Sequence, residues 1–107
     1  MKKFNLQKIL STMVKKPLNK EVFCITEHLK AQVMYLEAGN SIPPCKMDND
    51  VLFYFLSGEG TITVDSETEK IVIGDCVVVP HQSESRSIYA ESDLEILAVQ
   101  GLKINEN

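Results

Sequence analysis

The chain has 107 residues, 44% of them apolar and 24% charged, with 11 basic and 15 acidic side chains and a formal charge of −4. This length suits one domain with its own core, and the composition excludes disorder over most of the chain. The acidic balance, with no Lys/Arg stripe among the strand-like segments, excludes a nucleic-acid backbone as partner, and no run approaches the roughly 20 apolar residues of a membrane span.

In "FNLQKILSTMV", Leu6, Ile9, Leu10, Met13 and Val14 recur at helical spacing. The pattern predicts a short amphipathic helix stopped by Pro17 and covering an open side of the domain. The basic start "MKK" is followed by an interrupted apolar run and no small-residue cleavage site, so no secretory signal is expected. Cys24, Cys45 and Cys76 are odd in number and widely spaced, which reads as reduced thiols and a cytoplasmic location.

From Glu21 the period changes. Eight strand-like segments follow: "EVFCITEHL", "AQVMYLEAG", "VLFYFLSG", "TITVD", "KIVIG", "CVVVP", "SRSIYA" and "LEILAVQG". Between them lie breaks at Gly39-Asn40, Pro43-Pro44, Gly58-Glu59-Gly60, "SETE" and Gly74-Asp75. Short strands at such intervals predict an all-β antiparallel sandwich or barrel. The expected organisation is a helix and lead-in over 1–20, a barrel over 21–102 and a tail over 103–107, with no repeat or linker to start a second domain. "VLFYFL" is apolar on both faces, with Val51, Phe53 and Phe55 on one and Leu52, Tyr54 and Leu56 on the other. Its outer face needs a cover, either the N-terminal segment or a second subunit, and a homodimer is expected on that ground.

Two separated stretches share a spacing. The first runs Gly39, Cys45, Met47, Val51, Gly58, and the second runs Gly74, Pro80, Gln82, Ser85, Tyr89. In this glycine–proline frame the chain resembles the two motifs of the cupin superfamily over roughly residues 30 to 100. The resemblance implies a small antiparallel β-barrel or jelly roll, often dimeric, here with a short N-terminal helix. In that family the matching positions carry His-x-His, Glu and a third His, which converge on a metal because residues two apart on a strand share a face. Here they are Cys45, Met47, Val51 and Ser85. Two sulfurs, a hydrocarbon and a hydroxyl do not replace three imidazoles and a carboxylate, so no metal and no cofactor is expected.

What remains is a pocket for a small molecule, lined by Cys45, Met47, Val51, Phe53, Ser85 and Tyr89, with His81 near the mouth. An apolar wall at Val51 favours neutral guests. Each residue also has a plain reading: Cys45 and Met47 as packing, His81 as a solvated turn residue, and Ser83, Ser85 and Ser87 as an inward polar row near the rim. On the same parity Glu84 and Arg86 read as surface charges, and Cys76 and Val78 as inward. No carboxylate stands at a spacing that orients either His28 or His81. The competing reading is an enzyme with an irregular metal or thiol site at Cys45, a dioxygenase- or isomerase-like cupin assisted by His81.

Overall fold

A computed structural model describes residues 1–102, so the expected 103–107 tail lies outside the described residues. Side-chain alternation organises it. One helix, α1 (Leu6–Thr12), precedes nine strands among the described residues. They are β1 (Leu18–Ile25), β2 (Leu29–Leu36), β3 (Ser41–Cys45), β4 (Val51–Ser57), β5 (Gly60–Val64), β6 (Glu67–Ile71), β7 (Cys76–Val79), β8 (Arg86–Ala90) and β9 (Leu94–Gly101). They form a five-stranded sheet in the order β1-β2-β9-β4-β7 and a four-stranded sheet in the order β3-β8-β5-β6. The strand pairs are antiparallel, giving the two-sheet barrel that the strand pattern predicts.

The inner faces meet in one apolar cluster. Met34 and Leu36 of β2, Val51, Phe53 and Phe55 of β4, Ile62 of β5, Ile88 of β8 and Leu94 and Ile96 of β9 all belong to it. Phe53 is 1% exposed and Phe55 is fully covered. Burying such a side chain contributes about 1.5–3 kcal/mol, so this seam carries much of the fold's stabilisation.

Three elements depart from the sequence reading. Pro43 and Pro44 lie inside β3 rather than in a break. β3 pairs only with β8, and its register shifts between Ile42 and Cys45, so the missing proline N–H groups leave no ladder bond unmade on a second side. β6 begins at Glu67, three residues before the expected start, because β5 and β6 close on the two-residue turn Asp65-Ser66, with Asp65 in the left-handed region at φ 53°. In β7, Val77 pairs with Phe53 and Val79 with Val51, which turns Cys76 and Val78 outward. The uniformly apolar "CVVV" carries no alternation from which that parity could be read.

The N-terminal segment covers the outer face of β2 and not that of β4, for which the sequence left either this segment or a second subunit as cover. α1 packs on the outer face of β2, where Ala31, Val33 and Tyr35 are buried beneath Leu10. Asn5 caps the helix by accepting from the Lys8 amide at 3.0 Å, and the chain turns extended at Met13, ahead of Pro17. Lys15 lies 5.8 Å from the centroid of the Tyr35 ring. β4 is left with Leu52 and Leu56 half-buried and Tyr54 38% exposed on its outer side.

Candidate functional site

Strand β8 decides what faces the barrel interior. Ile88 is opposite both Ile62 and Ile42, all three buried. Arg86, two residues earlier, is therefore on the inner face, opposite Val64 and Cys45. The reading of Arg86 as a surface charge is corrected by this parity. Counting along the second motif sets Ser85 at the inner position, but the strand's own period sets Arg86 there, and a one-residue slip exchanges the two faces.

Arg86 is the chain's single arginine. Its guanidinium carbon lies 5.2 Å from the Phe53 ring centroid, a cation–π arrangement. Nε and Nη1 are both buried and lack a hydrogen-bond partner. The ion pairs found among the described residues involve His28, Lys46, Lys70 and His81, and Arg86 takes part in none. Desolvation pushes its pKa below the usual arginine range, while the neighbouring Cys45 opposes that shift. Beside the guanidinium is a cavity of about 20 Å³ lined by Lys30 and Gln32 of β2, Val51 and Phe53 of β4, Ala98 and Gln100 of β9, and Met47. That is room for about one water-sized group.

Four of the expected pocket residues gather at this end of the barrel. Val51 and Phe53 form its wall, Met47 packs against the core, and Cys45 lies across from Arg86 with its thiol donating to the Lys46 carbonyl at 3.5 Å. The other three are elsewhere. Ser85 is half-buried outside the cavity lining, its amide donating to Asp65 Oδ1 at 3.0 Å. Tyr89 is opposite Ser41 and Thr61 and 42% exposed, on the outer side of the four-stranded sheet.

His81 has a carboxylate partner after all. Its amide donates to Asp50 Oδ1 at 2.8 Å, and its Nδ1 is 3.0 Å from the same oxygen. These bonds hold the Asp50 carboxyl below its usual range. The pair borders an open cavity of about 280 Å³ with Asp48, Asn49, Gly101 and Leu102. Sequence spacing hides it because 31 residues intervene; the pairing of Val51 with Val79 brings the two loops together. A wider cleft of about 450 Å³ opens between β5–β6 and β7, with Ile62, Val64 and Val77 in its wall and Asp65, Glu67 and Glu69 around it. Of the motif residues only Pro80 lines it.

The cupin metal does not fit this donor set. Val51 has no lone pair, Met47 and Cys45 offer only sulfur, and a guanidinium stands against the same cavity, where it repels a divalent ion. Among the described residues no group of three or more His, Cys, Asp or Glu side chains is arranged to hold a metal ion. No helix among them is long and apolar enough to cross a membrane.

No family model matches the sequence, and no curated protein matches it. Solved structures do match. A conserved Streptococcus pyogenes protein of unknown function superposes with a TM-score of 0.81 at 23% identity, covering 97% of this chain and 90% of that one. A cupin superfamily protein from Desulfitobacterium hafniense gives 0.78 at 18%, covering 87% and 86%. Salicylate 1,2-dioxygenase from Pseudoaminobacter salicylatoxidans gives 0.75 at 20%, covering 78% of this chain and 26% of that one. Identities this low speak to architecture, and the architecture is the cupin fold. That fold hosts an enzyme and a protein of unknown function among these neighbours, so activity has to be argued from the site.

Proposed function

We propose that this chain is a metal-independent cupin barrel that binds a small molecule at the end formed by Cys45, Met47, Val51, Phe53 and Arg86, and that it works as a homodimer. The observation that carries this reading is Arg86, an inward arginine with two buried unpartnered nitrogens, in the lining of the cavity beside the positions where the family's metal ligands would stand. A fixed cation there disfavours a second one and favours a ligand with hydrogen-bond acceptors. The dimer is supported by the outer faces of β4 and β7, where Tyr54 and Val78 are 38% and 60% exposed.

Elemental analysis of untagged protein tests the metal-independent part. The expected result is no stoichiometric Fe, Mn, Zn or Ni. About one such ion per chain, lost in Cys45→Ser, would overturn the reading and favour a metal enzyme centred on the exposed thiol. Stoichiometric Cu(I) alone would move it to a soft-metal site.

A further inference from the structure

The side chains around the Arg86 cavity are chemically one-sided. Two are cations, Arg86 and Lys30; two are amides, Gln32 and Gln100; the remainder are apolar, and no carboxylate lines it, in a chain whose net charge is −4. The chain's other ten basic residues are lysines, and its one guanidinium faces the interior with two nitrogens buried and unpartnered. Native structures satisfy nearly all such buried donors, so an orphaned pair calls for an acceptor from outside. A guanidinium presents its N–H groups as a planar fork that matches a carboxylate in two parallel bonds.

We propose that Arg86 is the receptor for the carboxylate of a small organic acid. One carboxylate oxygen takes the water-sized cavity, and the remainder of the acid extends toward Met47 and the exposed Cys45. The cavity volume of about 20 Å³ limits what enters to one oxygen-sized group, and Phe53 and Val51 supply an apolar wall that strengthens the charge-assisted bonds. This rests on the small-molecule reading above and corrects the expectation of a neutral guest, because the inward charge was not legible from the motif count.

A single arginine makes the test direct, since the Nε–Hε region of a ¹H–¹⁵N spectrum contains one arginine signal. The intact chain is titrated at constant ionic strength with acetate, with its neutral analogue acetamide, and with inorganic phosphate and chloride. Acetate is expected to shift the Arg86 Nε–Hε signal saturably, with roughly tenfold tighter binding than acetamide, the ratio that separates charged from neutral hydrogen-bond partners. Phosphate and chloride are expected to bind more weakly. Arg86→Met, with its fold checked by the remaining amide dispersion, is expected to abolish the acetate-induced shifts at the Val51 and Phe53 amides. Equal responses to acetate and chloride would overturn the proposal, as would tighter binding of phosphate. If acetamide or benzyl alcohol saturably shifts Val51 and Phe53 while acetate leaves Arg86 unmoved, the carboxylate proposal fails and the small-molecule barrel stands. If no probe moves either set, both fail.

Discussion

Replacing Arg86 by methionine is expected to stabilise the unliganded protein. Nε and Nη1 are buried without acceptors, and each buried donor left unpaired costs about 1–3 kcal/mol. The contact with Phe53, at 5.2 Å from the ring centroid, returns about 0.5–2 kcal/mol, and that return is lost in the variant. Methionine is unbranched and fills the arginine stem's volume against Val51 and Phe53, so little cavity cost is added. The net is a gain of about 0–5 kcal/mol, which overlaps the range found when buried charges give way to apolar residues. In urea it appears as a higher midpoint at unchanged m-value, and in thermal melts as a rise of about 4–8 °C per kcal/mol for a domain near this size. The measurement belongs in a carboxylate-free buffer. A loss of more than about 1 kcal/mol would refute the reasoning, since it would mean that the guanidinium is a satisfied structural element. With an anion at a hundred times its dissociation constant the wild type should gain about 2.7 kcal/mol, and Arg86→Met nothing.

Gly39 and Gly58, two glycines of the motif frame, both have φ above +80°, yet a Cβ at Gly39 meets open space whereas at Gly58 it runs into the Asp93 backbone. Gly39→Ala is expected to cost about 1–2 kcal/mol in urea titration and Gly58→Ala clearly more; equal costs would contradict the packing at Asp93. The Asp50 carboxyl titrates below its usual range, so its charge contributes stability that is present above the ordinary carboxylate pKa and lost as pH falls through the lowered one. Urea midpoints of the wild type and Asp50→Asn should therefore differ at pH 7 and converge in strong acid, and a difference independent of pH would refute the assignment. Sedimentation should give twice the 12.0 kDa chain mass, with Val78→Asp shifting it toward the monomer; a wild-type monomer across dilution would rule out the pairing.

Where a strand has one apolar face, its sequence revealed both its existence and its orientation. In β4, Val51, Phe53 and Phe55 point inward as the period-2 pattern requires, and the first motif brought Cys45, Met47 and Val51 to one end of the barrel. Where the local signal was flat or mixed, parity had to come from pairing. "CVVV" is apolar at every position, so only its register with Val51 and Phe53 shows which side is which. "SESRSIYA" had the answer in its second half: Ile88 and Ala90 are the apolar members, and counting back by two from them reaches Arg86, not Ser85. Giving the motif count precedence over that alternation exchanged the faces, moving Tyr89 inward and Arg86 outward. The His81–Asp50 pair shows a different limit, since no spacing rule joins residues 31 apart until β4 and β7 are known to be neighbours. Apolar parity follows from burial alone and is written locally, whereas a polar constellation between loops depends on topology. The inward arginine falls between these cases. Its strand position was readable from the residues beside it, but its unpaired state became visible only once β2, β4 and β9 closed around it with cations, amides and apolar groups and no carboxylate.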